Sequence, residues 1–217
     1  MQDINVSKLQ KALFLVCDKI IAAEPMLTEL DTIIGDGDHG FGMRIGFSAM
    51  KKELSRYDYM QENKIPYDLF KDAGMALIRV MGGTSGVIFG TLFIGGLPAL
   101  ENRQTLTLTD LSEYISISTS KIRQRGRVEQ GDKTMYDALF PASEALTASA
   151  QNGLSVEKAF EAAYFAAKEG AEKTKAMISR KGRSKNFRDK TLGHIDSGAV
   201  STTLIFEALF ESFSEQK

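Results

Sequence analysis

Apolar positions recur at helical spacing along nearly the whole chain. Asn5-Val6-Ser7 supplies capping residues before Leu9, Leu13, Val16 and Ile20, and the run is read to end at Glu24-Pro25. Met43, Phe47, Met50 and Leu54 repeat the period after a glycine-rich stretch, and Leu69, Ala73, Ala76, Leu77 and Val80 repeat it after Pro66. Val87 to Leu100 is apolar on most sides, which predicts a helix inside a bundle, too short to span a membrane. Further helices are predicted around Leu111, Ile115 and Ile122, from Met135 to Ala150 with a kink at Pro141, from Ser155 to Met177, and from Gly198 to Phe213. That makes seven or eight helices. Alternation is confined to Thr105-Leu106-Thr107-Leu108, read as a linker.

No repeat and no Ser- or Pro-rich linker divides the 217 residues, so the expectation is one all-α domain over 1–217. Hydrophobic residues at 43% and charged ones at 25% exclude a disordered chain. Twenty-seven Lys and Arg against 28 Asp and Glu give no overall field to attract nucleic acid or an anionic membrane. Cys17 is the single cysteine and sits in an apolar helical pattern, so it reads as a buried thiol. Met1-Gln2-Asp3-Ile4 does not begin a leader, and no apolar run reaches the roughly 20 residues of a membrane span, so a cytoplasmic location is expected.

Nineteen glycines are many for a helical bundle, and they cluster at 35–46, 82–96 and 126–131, which suggests backbone approaching a ligand. In the first cluster, Asp31 precedes Gly35-Asp36-Gly37-Asp38-His39-Gly40. Three carboxylates this close converge only if a cation offsets their repulsion, and hard oxygen donors suit Mg²⁺ presented to phosphate. The alternative is a solvated acidic loop before a helix. Gly35-x-Gly37-x-x-Gly40 matches a dinucleotide fingerprint in letters only: no strand precedes it, and its aspartates would repel a pyrophosphate. The calcium-loop pattern fails at Gly40 and Phe41. His39 is open between a metal ligand, a hydrogen-bond donor to phosphate or nucleoside, and a turn cap.

Gly82-Gly83-Thr84-Ser85-Gly86 lies between two helical patterns, where helix-start amides and two hydroxyls favour a phosphate over a simple cap. Gly126-Arg127-Val128-Glu129-Gln130-Gly131-Asp132-Lys133-Thr134 misses the P-loop pattern by Asp132, yet its lysine and threonine at a helix start suit a nucleotide. Eight basic residues between Lys173 and Lys190 face only Asp189. They read as a solvated helix end, a basic lid over phosphates or a surface for an acidic partner. His194-Ile195-Asp196-Ser197-Gly198 then caps the last helix.

Together with Arg125-Gly126, Gly131-Asp132-Lys133-Thr134-Met135, Gly182-Arg183 and Gly193-His194-x-Asp196-x-Gly198-Ala199, these motifs resemble the nucleotide-binding L subunit of dihydroxyacetone kinase over some 170 residues. The resemblance implies an antiparallel eight-helix barrel holding ADP or ATP at one end with two Mg²⁺ ions. It implies that Asp31, Asp36 and Asp38 bind metal and carry the catalysis. It also implies that His39, Gly40, Thr84, Ser85, Gly126, Met135, Arg183, Asp196 and Gly198 contact nucleotide, with Met135 packed on the adenine. In the family, a separate K subunit holds the ketone on a histidine, and bound ATP supplies the γ-phosphate. A chain of this length resembles the phosphoenolpyruvate-dependent type, in which a phosphotransferase M subunit rephosphorylates the bound ADP. A homodimer is left open.

The segment Ser184-Lys185-Asn186-Phe187-Arg188-Asp189-Lys190-Thr191-Leu192 departs from the family, and Ser197 replaces a usual proline. That leaves open which short ketose is the substrate, which partner paralogues serve and whether ADP is retained. Two other readings compete: a nucleotide-state sensor that docks on a transcription factor, and a metal-dependent hydrolase of small phosphate esters. The three aspartates favour transfer over sensing, and the nucleotide turns go unexplained by the hydrolase.

Overall fold

The computed structural model describes residues 3–59 and 61–214. Met1 and Gln2, from the terminal stretch considered above, lie outside the described residues. Nine α-helices form among the described residues: α1 (Val6–Ala22), α2 (Glu24–Ile34), α3 (His39–Leu54), α4 (Pro66–Val80), α5 (Gly83–Ile94), α6 (Leu108–Gly126), α7 (Tyr136–Gln151), α8 (Val156–Lys173) and α9 (Ser197–Ser214). The all-α expectation holds, and the extra helix is α2. Pro25 does not end the first run; it occupies the first turn of a new helix, where its missing N–H costs nothing. The 105–108 linker is corrected in part, since Thr105–Leu106 (β2) pairs antiparallel with Ile4–Asn5 (β1).

Eight of the helices close a ring. α1 packs on α3, each helix from α3 to α8 packs on its successor, and α9 returns to α1. Across that last seam, Lys19 Nζ lies 2.9 Å from Glu207 and 2.6 Å from Glu211. α2 barely touches α1 but packs on α3 and α9, so it prolongs the wall beyond the end of α1. Short connections make neighbours antiparallel, and every second connection therefore falls at the same end. That end gathers 35–38, 81–82, 127–135 and 174–196.

Side chains from all round the ring fill its middle, including Phe47, Leu69, Tyr114, Leu139, Phe160 and Phe206. An apolar cavity there is lined by Leu13, Phe70, Phe93 and Phe213 among others. Tyr114 spends its hydroxyl on the carbonyl of Phe93 at 2.7 Å. Cys17 is fully buried, and burial pushes its thiol up to about 12, as expected of an inert cysteine. The apolar stretch 83–100 is broken after Ile94 and ends in a 3-10 turn, Leu97–Leu100. α5 has 12 residues, and at about 1.5 Å per residue it falls well short of a bilayer core.

The glycines divide into two kinds, which modifies the ligand reading of the 82–96 cluster. A β-carbon on Gly96 would stand 2.1 Å from the carbonyl of Tyr114, so this glycine serves close packing against α6. Gly40 is similar: its β-carbon would meet the Glu24 carbonyl at 2.4 Å and Thr28 Oγ1 at 2.3 Å, where α3 crosses α2.

Candidate functional site

The acidic turn is held together by Asp31. This residue sits on the last turn of α2, and its Oδ2 accepts hydrogen bonds from the amides of Gly37 at 3.0 Å and His39 at 3.4 Å. Its Oδ1 accepts from Ser197 Oγ on α9 at 3.1 Å. Gly37, at φ 74°, lets the chain double back between α2 and α3. One carboxylate oxygen from each of Asp31, Asp36 and Asp38 then lies within 4.8 Å of the others. No other such group of three occurs among the described residues. Arg183, from the connection between α8 and α9, pairs with both Asp36 and Asp38, the latter at 2.7 Å. Three anionic groups and one guanidinium leave net negative charge, and the donors are all hard oxygens, the set that Mg²⁺ takes.

His39 is not a member of this cluster. Its Nε2 meets Ser201 Oγ at 2.8 Å and its ring lies 6.1 Å from that of Phe89 on α5. Burial pulls its pKa down, with Asp31 acting in the opposite direction. Ser197 and Ser201 are the partners that sequence reasoning missed. Their spacing of four puts both on one face of the first turns of α9, which is the signal that could have found them.

The glycine turn opens α5 at the same end of the ring, and Phe89 further along that helix has its ring 6.1 Å from that of His39. Gly83 has φ 65°, and a β-carbon on Gly82 or Gly83 would meet nothing within 4 Å, so the turn faces open space. α5 starts with no side-chain cap. Thr84 is exposed and Ser85 half-buried. Free amides and two hydroxyls therefore sit at the positive end of a helix dipole.

The connection from α6 to α7 completes a third side. Gly126 ends α6, with its α-carbon hydrogen directed towards Ile88 of α5. Met135 is buried before α7, against the start of α9: a β-carbon on Gly198 would lie 3.5 Å from it. Asp137 takes the amides of Gly131 at 2.6 Å and Thr134 at 2.8 Å, which fixes the turn. Lys133 corrects the nucleotide reading of this motif. Its side chain is buried, and its Nζ contacts backbone carbonyls of the α8–α9 connection instead of facing the open end.

Asp196 closes the fourth side. Its Oδ2 accepts from the Ala199 amide at 2.8 Å, capping α9. Burial pushes its carboxyl up to about 7; the Ala199 bond and Lys133 oppose the rise, and Asp137 and Asp31 add to it. The basic segment ahead of it carries Arg183 to the acidic turn, while Lys181 pairs with Asp132 at 3.7 Å. Asp31, Asp36, Asp38, His39, Gly40, Thr84, Ser85, Gly126, Met135, Arg183, Asp196 and Gly198 thus come from four connections and the helix ends beside them, all at one end of the ring.

A match to the DAK2 domain spans residues 33–211. The chain belongs to the DAK2 domain family. Relatives of this DAK2 domain include the ADP-binding subunit DhaL of PEP-dependent dihydroxyacetone kinase from Escherichia coli, 38% identical over 89% of this chain and 90% of that one. L-erythrulose kinase from Pectobacterium atrosepticum is 30% identical over 88% of this chain and 32% of that protein. Among solved structures, dihydroxyacetone kinase from C. freundii in complex with AMP-PNP and Mg²⁺ superimposes with a TM-score of 0.73 at 29% identity, covering 98% of this DAK2 domain. This domain spans about a third, 35%, of that chain.

Proposed function

We propose that the chain is the ADP- and ATP-binding subunit of a dihydroxyacetone kinase, a single L-type domain over residues 1–217 working in the cytoplasm. The observation that carries the reading is the convergence of Asp31, Asp36 and Asp38 at the same end of the ring as the uncapped start of α5. The all-oxygen donor set fits Mg²⁺, and in this reading the three aspartates hold two ions. The chemistry of Mg²⁺ bound there is neutralisation of charge on the phosphate oxygens during transfer.

The rest falls to the chain's own groups. The amides at the start of α5 and the hydroxyls of Thr84 and Ser85 donate to phosphate oxygens. His39, neutral by burial, donates or accepts one hydrogen bond at the nucleotide. Gly40, Gly126 and Gly198 meet the nucleotide along their backbone, Met135 meets the adenine, and Asp196 keeps the start of α9 in place. Arg183, paired with Asp36 and Asp38, faces the phosphates. Dihydroxyacetone is held by a separate K subunit, and a phosphotransferase M subunit restores ATP from bound ADP.

The experiment is reconstitution with K- and M-type partners, phosphoenolpyruvate and either dihydroxyacetone or erythrulose. Product from dihydroxyacetone, dependent on this chain, is expected. Product from erythrulose alone would move the reading to another short ketose, and no product with any partner would favour a nucleotide-state sensor.

A further inference from the structure

Lys133 has no place in the scheme above, yet it is one of the most enclosed side chains in the protein, with 1% of its surface exposed. It lies between α6 and α7 at φ 61°, a backbone region uncommon for a residue with a side chain. Its Nζ lies 2.8 Å from the carbonyl oxygen of Thr174, 3.3 Å from that of Met177, 2.6 Å from that of Thr191 and 2.5 Å from that of His194. An ammonium has three donors and no acceptor, so a shell of carbonyl oxygens suits the protonated form. A neutral amine would turn a lone pair onto one of those oxygens.

The four carbonyls come in pairs from the two ends of one segment. Thr174 and Met177 lie where it leaves α8, and Thr191 and His194 where it returns to α9. The segment is closed on itself by the Gly193 amide donating to the Lys175 carbonyl at 2.8 Å. Thr191 Oγ1 accepts from the Ser179 amide at 3.0 Å and donates to the Arg188 carbonyl at 2.7 Å. At the far side of this loop, Arg183 reaches Asp36 and Asp38.

We propose that Lys133 is a positioning residue whose buried ammonium gathers both ends of the 174–194 segment, so that Arg183 is held over the acidic turn. Lys133 is followed in the chain by Thr134 and Met135, so it joins that side of the site to its basic cover. The fastening follows from the carbonyl shell alone; its consequence for phosphoryl transfer rests on the dihydroxyacetone kinase reading.

Trypsin reads the fastening directly, because the segment offers Lys181, Arg183, Lys185, Arg188 and Lys190. Lys133→Met, similar in length and uncharged, is expected to keep wild-type helical circular dichroism while cleavage within 180–190 accelerates about tenfold or more. In Lys133→Ala, added propylammonium should slow that cleavage again and propanol should not. In the reconstituted assay, kcat should fall further than KM for nucleotide rises. A folded Lys133→Met cleaved at the wild-type rate, or rescue by propanol as good as by propylammonium, would overturn the fastening. If the substitutions prevent folding, NMR of the unaltered protein decides. A slowly exchanging lysine ammonium coupled to the carbonyls of Thr191 and His194 is expected, and its absence overturns the proposal. A wild-type chain that is inactive with every partner, but whose variant is still cut faster, would refute the kinase reading and uphold the fastening.

Discussion

The two ends of the ring are made from the same helices and differ in how the helix starts are finished. Away from the site, Asn5 caps α1 and Ser155 caps α8 by accepting an amide. The Thr107–Asp110 pair caps α6, and Asp68 accepts the Ile65 amide at the start of α4. At the site end, α3, α5 and α7 begin on Asp38, Gly82 and Met135 without a side-chain cap. Only α9 there is capped by its own residue, Asp196. A helix start costs stability when its amides lack partners, and capping restores about 1 kcal/mol. The far end takes that gain locally at α1, α6 and α8; at the site end the first amides of α3 and α7 go to Asp31 and Thr134, and the start of α5 is left without a side-chain partner, open to something that is not part of the chain. The concentration of carboxylates and basic side chains at the second end matches that division.

The largest effect is expected at Asp31, which both belongs to the acidic cluster and holds the turn. Losing a mere partner of a metal ligand costs about 10–100-fold in affinity. Asp31→Asn should therefore weaken binding of ADP in Mg²⁺ by roughly 100-fold or more, measured by calorimetry; binding within a few-fold of wild type would break the contrast between the ends.

A smaller effect concerns pH. Asp196 is raised from 3.8 to about 7 in the folded protein. Between those values the folded chain keeps a proton that the unfolded chain has lost, so this group's contribution to stability falls as pH rises from about 4 to about 7. Asp196→Asn should flatten that part of the profile in metal-free urea unfolding, by an amount on the order of 1–2 kcal/mol. An unchanged slope would show that the carboxyl is not desolvated as the structure has it. The smallest effect is the control at the closed end: Ser155→Ala should lose about 1 kcal/mol of stability and leave ADP affinity unchanged.

The helical frame was legible because most helices carry a broad apolar stripe. α2 was not, since it buries only Leu27 and Ile34 and its Pro25 looks like a stop as much as a start. The acidic turn was legible from its letters, because carboxylates so close in sequence have few other uses. The glycines were ambiguous: Gly83 and Gly96 read alike in sequence, and only the packing shows that one faces open space and the other a carbonyl of α6. Lys133 was misread because residue type and position near a helix start say nothing of where a side chain goes when the backbone takes a left-handed turn. Its partners are 41 to 61 residues away, beyond the reach of any local pattern.

The central claim, that the uncapped end holds a nucleotide through a metal on the three aspartates, is tested most directly by titrating ADP into protein stripped of co-purified nucleotide, with Mg²⁺ and then with EDTA. The account predicts saturable one-to-one binding in Mg²⁺ that is lost in EDTA and lost again in Asp36→Asn, whose circular dichroism stays that of the wild type. Equal ADP affinity in Mg²⁺ and EDTA, or tight binding by Asp36→Asn, would contradict it.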